Sequence, residues 1–289
     1  MSVVVLGGSG RIGTQLCDVL ESAGIEYLAP SREEFDVTPR DGFRDLLSTG
    51  SLAEPVDTVI NTTAYHDTKG CEVDPMRAFL MNAYVPAWLA VMCNASGLRF
   101  VHFSTDYVFG KYPSYHPDGY TPNAAPAPVN VYGESKAAGE TLVLSANDRA
   151  LIVRVASLFG SPSDRGDFVK LVRQRVTDDA PMQVVDDVTM SPTYTRDVAN
   201  VLIYQALSKP TLRGIIHMVN SGCPVTWYEF ARQIATLHGA HTDFIASTTL
   251  AESGDPLPRP PSSALSTRWD LPSWLTSLDS YMRLLDKQK

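Results

Sequence analysis

Residues Val3 to Leu6 form a short unbroken apolar run. The chain then reads Gly7-Gly8-Ser9-Gly10-Arg11-Ile12-Gly13, and apolar residues recur at Ile12, Leu16, Val19 and Leu20. The first run has the length of a parallel strand buried on both faces, and the later residues have helical spacing. Strand, glycine turn and helix in that order constrain the fold more than any other feature here. Glycines allow a tight turn and a close approach of backbone to a pyrophosphate, which sits on the positive end of the helix. Gly7, Gly10, Arg11, Ile12 and Gly13 are therefore the first cofactor contacts expected. The spacing Gly-x-x-Gly-x-x-Gly differs from the commoner Gly-x-Gly-x-x-Gly.

Beyond the turn, residues 25–29, 56–60, 100–103, 150–155 and 215–219 read as strands. Helical periodicity falls on 39–47, 75–94, 134–144, 169–176, 196–207, 226–237 and 275–285. This alternation predicts an α/β protein, a Rossmann-type doubly wound parallel sheet with a smaller C-terminal substrate lobe over its carboxyl edge. An NAD(P)-binding domain is expected over residues 1–155, joined by 188–220. The substrate-binding lobe would occupy 156–289, interleaved with it.

The second strand is followed by Ser31-Arg32 where an acidic residue would bind an adenosine ribose hydroxyl. An arginine there suits a 2′-phosphate, which favours NADP(H) and leaves NAD(H) as second choice; the alternative is a solvated loop charge. Asp36 opens the next turn. The third strand ends in Asn61-Thr62-Thr63-Ala64-Tyr65, where small residues let a cofactor lie across the strand ends. Thr62, Ala64 and Tyr65 join Ser31, Arg32 and Asp36 as expected cofactor contacts.

Composition narrows the class. A formal net charge of −8 without a basic run excludes a nucleic-acid surface. Four cysteines, Cys17, Cys71, Cys93 and Cys223, lie far apart, as reduced thiols of a cytoplasmic protein do. The six histidines show no metal-ligand spacing, so no metal is expected. No signal peptide is read at the N-terminus, and no apolar run approaching the ~20 residues of a membrane span.

Tyr132 and Lys136 stand four residues apart in Asn130-Val-Tyr-Gly-Glu-Ser-Lys136, so a helix puts both on one face. An ammonium beside a phenol favours the phenolate. Such a pair is more often a surface coincidence, and its context has to decide. The fourth strand delivers Ser104-Thr105-Asp106-Tyr107 at its carboxyl end, where open α/β sheets place their sites.

With glycine turn, Ser-Thr pair and Tyr-x-x-x-Lys in this order, the chain resembles the extended short-chain dehydrogenase/reductases, and within them the dTDP-4-dehydrorhamnose reductase family. The likeness runs nearly end to end. Ser104-Thr-Asp-Tyr-Val-Phe109, Asn82-Ala83, Ser191-Pro-Thr193, Trp227-Tyr-Glu-Phe-Ala231 and Arg259-Pro260 carry it. The resemblance implies NAD(P)H-dependent reduction of a nucleotide-linked 4-keto-6-deoxy sugar. Tyr132 would protonate the carbonyl oxygen, Thr105 would hydrogen-bond it, and Lys136 would lower the phenol pKa and hold the nicotinamide ribose. Ser104, Asp106, Tyr107 and Arg259 would face the substrate, Arg259 through its diphosphate. A homodimer fits the family, and neither nucleic acid nor membrane is an expected partner.

The chain departs from the family pattern at Ser157, where a Trp is usual, at Val188 in place of Gln, and around Asp67 and Lys69. These positions are expected to face the sugar. Two other functions stay open: a nucleotide-sugar epimerase or dehydratase, and a regulatory subunit resembling that of methionine adenosyltransferase. Dehydratases of the superfamily carry Glu where this chain has Tyr107. An intact Thr105, Tyr132 and Lys136 counts against a purely binding role. Trp227 reads as core rather than as a stacking platform.

Overall fold

The computed structural model describes residues 1–39, 42–48, 52–112, 119–160, 167–260 and 264–287. Its first half runs β1 (Val3–Leu6), α1 (Arg11–Ser22), β2 (Tyr27–Leu28), α2 (Phe43–Ser48), β3 (Thr58–Asn61) and α3 (Thr68–Val73). One helical run follows, made of α4 (Pro75–Phe79), a π-helical turn (Leu80–Tyr84) and α5 (Val85–Ala95). Next come β4 (Arg99–Thr105), a 3₁₀ turn (Asp106–Val108), α6 (Val131–Ala146) and β5 (Leu151–Val155). The second half has β6 (Leu158–Phe159), α7 (Phe168–Thr177), β7 (Met182–Val185), β8 (Thr189–Met190), β9 (Thr193–Tyr194) and α8 (Thr195–Val201), which a π-helical turn extends. It closes with β10 (Gly214–His217), β11 (Val225–Thr226), α9 (Trp227–Leu237), β12 (Ile245–Thr248) and α10 (Trp274–Lys287).

Six strands form one sheet in the order β10-β5-β4-β3-β1-β2, and every pairing is parallel. Side chains alternate across it, as a strand period of two requires. Val3, Val5, Ile60, Val101, Leu151 and Val153 pack toward α1 and α8. Val4, Leu6, Val59, Phe100 and Ile152 pack toward α5, against Val85, Trp88, Leu89 and Cys93. Both faces are covered, which explains the unbroken apolar runs. The chain reverses direction of travel between β1 and β3, and the crevice at their carboxyl ends is where such sheets bind ligands.

The segment after β5 divides its loyalties. β10 pairs with β5 and α8 packs on α1. A separate core of Phe159, Val169, Val172, Phe230, Ile234, Leu278 and Tyr281 joins α7, α9 and α10. Three small strand pairs, β6-β9, β8-β11 and β7-β12, were not legible as strands because each is only two to four residues long. One expectation is corrected. The run Pro75–Ala95 is long and apolar enough, by length and composition, to cross a membrane. Half of its apolar window is buried, and its α5 residues form part of the core under the sheet.

Candidate active site

The carboxyl ends of β1, β3 and β4 open into a cleft of about 780 Å³. Gly7, Gly10, Arg11 and Ile12 line one end. Helix α1 starts there with Gly10 as N-cap, a residue with no side chain to cap the first N–H groups. Gly13 lies off the cleft wall. A Cβ on it would sit 2.1 Å from the Gly7 carbonyl oxygen, so its task is to let α1 close onto the turn. Thr62 locks the turn from β3 by donating to the carbonyls of Leu6 at 2.9 Å and Gly7 at 3.1 Å.

Arg32 and Asp36 line the same end. The Arg32 side chain is 78% exposed, with Nε 3.7 Å from Asp36 Oδ2. Asp36 Oδ1 accepts from the Thr38 amide at 2.9 Å and hydroxyl at 2.8 Å, and these bonds hold its carboxyl below the usual range. Ser31 is off the cleft wall. Its amide donates to Glu34 Oε2 at 2.7 Å and its hydroxyl accepts from the Glu34 amide, so it closes a local turn. Ala64 and Tyr65 line the middle. The uncapped helix end, the glycine wall and the apolar floor between them fit a dinucleotide.

Asn82, which the sequence offered only as a family match, has a structural task. It is fully buried in the π-helical turn; its Oδ1 accepts from the Tyr65 amide at 2.8 Å, and its Nδ2 donates to the Tyr65 carbonyl at 2.9 Å and to Ser135 Oγ at 3.0 Å. The loop after β3 is thereby fastened to α6.

Asn130 caps α6, accepting from the Gly133 amide at 2.8 Å and donating to the Pro258 carbonyl at 2.9 Å. Gly133 has no room for a side chain: a Cβ would lie 2.1 Å from the Tyr107 carbonyl oxygen. This close approach sets the first turn of α6 against the end of β4. Tyr132 and Thr105 both line the cleft across that contact. Thr105 Oγ1 donates to Asp106 Oδ1 at 2.9 Å and accepts from the Tyr107 amide at 3.2 Å. Burial pushes the Tyr132 phenol up, outweighing the Thr105 hydroxyl, which acts the other way. The phenol therefore stays protonated at neutral pH.

Lys136 differs from the sequence expectation. Its Nζ donates to the Phe103 carbonyl at 2.6 Å and lies 3.3 Å from His102 Nε2. Burial pushes it down to about 8, against an opposing pull from Glu140. Lys136 Nζ is thus held on β4, and it is desolvation that sets the phenol.

The residues expected to face substrate separate into two sets. Tyr107 and Arg259 line the cleft and meet, with Arg259 Nη1 donating to the Tyr107 hydroxyl at 3.0 Å and Nε to Asp255 Oδ2 at 2.6 Å. The Tyr107 ring stands edge-on to Tyr132, with centroids 5.6 Å apart. Asp106 also lines the cleft, though it is nearly buried. Ser104 is a correction. It borders the cleft, yet its hydroxyl donates to Glu140 Oε1 at 2.5 Å, inside a buried network with Arg154.

Among the departures, Ser157 lines the cleft, in a left-handed conformation with φ of 42°. Val188 is buried and does not line it, and neither do Asp67 and Lys69. Those three positions do not border this cleft, whereas Ser157 does. Trp227 packs against the Phe159 and Phe230 core, edge-on to Phe168 at 4.9 Å, and also lines the cleft.

A profile of the RmlD substrate binding domain matches residues 1–285. The dTDP-4-dehydrorhamnose reductase of Mycobacterium tuberculosis is 35% identical over 272 residues, covering 93% of this chain and 86% of that protein. The chain belongs to the dTDP-4-dehydrorhamnose reductase family. Among relatives of this family's kind, the Streptomyces niveus dTDP-4-keto-6-deoxy-D-glucose reductase is 33% identical over 240 residues, 82% of this chain and 78% of that one. The fold is likewise that of the family. The Bacillus anthracis dTDP-4-dehydrorhamnose reductase, solved in complex with NADP, superposes with a TM-score of 0.88 at 27% identity, covering 98% of this chain and 99% of that one.

Proposed function

We propose that this chain reduces the 4-keto group of a nucleotide-linked 4-keto-6-deoxy sugar to a hydroxyl, using NADP(H) in preference to NAD(H). The observation that carries the reading is one cleft lined by Thr105, Tyr132 and Lys136, whose far end is a glycine turn and the N-terminus of α1. The names of the relatives add a dTDP-linked substrate. Bound NADPH supplies the hydride for the carbonyl carbon. Tyr132 gives its O–H proton to the carbonyl oxygen and becomes a phenolate. Lys136, one turn further along α6, stabilises that phenolate and reaches the nicotinamide ribose hydroxyls. Thr105, whose hydroxyl otherwise donates to Asp106 Oδ1, turns that proton to the oxygen as negative charge builds.

Arg259 serves the substrate diphosphate. Asp255 and Tyr107 pre-orient its guanidinium at the cleft wall, and phosphate oxygens suit the donors that remain. Tyr107 stands where a dehydratase carries its eliminating Glu, and its hydroxyl is engaged by Arg259, which favours a reductase over a dehydratase or epimerase. The assembled Thr105, Tyr132 and Lys136 favour an enzyme over a regulatory subunit. Four unpaired cysteines suit a cytosolic setting. The exposed Val73, Met76, Tyr84 and Val91 along α3 to α5 suit a homodimer contact.

Cofactor choice tests the far end of the cleft. An exposed Arg32, held among the described residues by its contact with Asp36, has donors to spare for a 2′-phosphate. NADPH is expected to bind at least about tenfold more tightly than NADH, a gap of ~1.4 kcal/mol. Arg32→Ala should erase most of it without weakening NADH. Equal affinities in the unmodified protein, measured by fluorescence titration, would sink the assignment of Arg32. Activity with a panel of 4-keto sugar nucleotides and NADPH tests the reaction itself; turnover of none of them would reject it.

A further inference from the structure

His102 is a buried titratable group that the proposed chemistry leaves unused, and its neighbours fix where its proton sits. Asn61 Oδ1 accepts from the Thr63 amide at 3.1 Å and hydroxyl at 2.7 Å. A backbone amide only donates, so this contact fixes the orientation of the Asn61 side chain. Asn61 Nδ2 then lies 3.2 Å from His102 Nδ1. An amide nitrogen donates too, which makes Nδ1 the acceptor and puts the proton of the neutral ring on Nε2. Burial, then the Lys136 charge, holds His102 well below its usual range against an opposing pull from the Asn61 backbone, so the ring is neutral. Nε2 faces Lys136 Nζ at 3.3 Å, and Nζ has the Phe103 carbonyl as its other partner at 2.6 Å. An ammonium has donors and no lone pair, so an Nε2–H meets it donor to donor. A neutral amine accepts from Nε2–H and still donates to Phe103. Asn61, His102 and Lys136 are all at most 1% exposed, so water does not relieve the mismatch.

We propose that His102 is a positioning residue for Lys136: locked as its Nε2–H tautomer by Asn61, it presents an N–H to Nζ and biases the buried lysine toward the neutral amine until cofactor ribose hydroxyls draw Nζ away. This rests on the reading that Lys136 meets the cofactor ribose. Above about pH 8, binding of cofactor is then linked to uptake of one proton from solvent by Lys136. Burial acts in the same direction on Lys136, and Glu140 on α6 acts against it. The other titratable groups at this corner are Tyr132 on α6, Cys71 on α3, and Asp106 and Tyr107 after β4, and the charges of the last three bear on the phenol.

The tautomer is read directly from long-range ¹H–¹⁵N correlations of ligand-free protein labelled in its imidazoles, with His102→Gln assigning the signal. The expected pattern has Nε2 protonated and Nδ1 bare. A second arm measures NADPH affinity against pH. Above about 8, where Lys136 loses its proton, Kd should rise about tenfold per pH unit, the slope of a one-proton linkage. Asn61→Asp sets a carboxylate against Nδ1, turns the ring to the Nδ1–H tautomer and offers an Nε2 lone pair to the ammonium. The alkaline limb should then move up by about one pH unit or more. If Asn61→Asp fails to fold, His102→Leu removes the facing N–H and should move the limb the same way. An Nδ1–H ring in the unmodified protein, or a limb that stays in place while affinity falls equally at every pH, would overturn the proposal. A protein that bound no NADPH would instead reject the cofactor reading, and the tautomer would still be read on its own.

Discussion

Tyr132→Phe is expected to cut turnover by about 100-fold or more, the usual scale for removing a general acid, while NADPH affinity stays unchanged. The substitution deletes one oxygen. It leaves the ring in its edge-on contact with Tyr107 and leaves the start of α6 fixed by Asn130 and Gly133. The loss is therefore chemical rather than structural. Burial keeps the phenol protonated through the neutral range, so the proton is available without any help from pH. Without it, the developing alkoxide keeps only the Thr105 hydroxyl. Steady-state kinetics with a keto substrate and NADPH titration together check this. Near-normal turnover in the variant would show that another group supplies the proton.

Glu140→Leu is expected to destabilise the protein by roughly 3–5 kcal/mol, because it leaves a buried guanidinium without its counter-charge. Arg154 donates from Nε to Glu140 Oε1 at 2.8 Å and from Nη2 to Oε2 at 2.6 Å, and both side chains are at most 3% exposed. Arg154 also lies 4.9 Å above the Phe109 ring and reaches His217 Nε2 at 3.4 Å. The pair joins α6 to β5, one turn beyond Lys136, and Ser104 adds a bond from β4. The melting temperature should fall by on the order of 10 °C. The double change Glu140→Leu with Arg154→Met should recover most of that, since two apolar residues of similar volume need no partner. Thermal unfolding of the two variants decides it. Equal losses in both would mean that packing, and not the unpaired charge, sets the cost.

The frame of this protein was legible because it rests on local patterns. Val3–Leu6 is buried on both faces by the sheet, and a strand of that kind has to be apolar throughout. Asn130 through Lys136 is a cap followed by a helical turn, and its spacing puts Tyr132 and Lys136 on one face. What escaped the sequence depends on partners far along the chain. Ser104 and Thr105 are neighbours on β4, yet one hydroxyl goes to Glu140 and the other to Asp106, because successive residues of a strand point to opposite faces. Nothing local to Trp227 shows that Phe168 covers only part of it and leaves the rest to the cleft. His102 reads as one more residue of an apolar strand until Asn61 and Lys136 are seen on either side of it. The lysine's restraint on β4 was invisible for the same reason.

Stoichiometric hydride delivery to an incoming ketone separates this reaction from that of an epimerase or dehydratase. Its most direct measurement follows nicotinamide absorbance while product is counted in the same vessel, with purified protein, NADPH and dTDP-4-dehydrorhamnose. One NADPH oxidised for each 4-hydroxy sugar nucleotide formed is the result this account predicts. Product formed from dTDP-4-dehydrorhamnose while total reduced cofactor stays constant would contradict it, because net reduction has to consume NADPH.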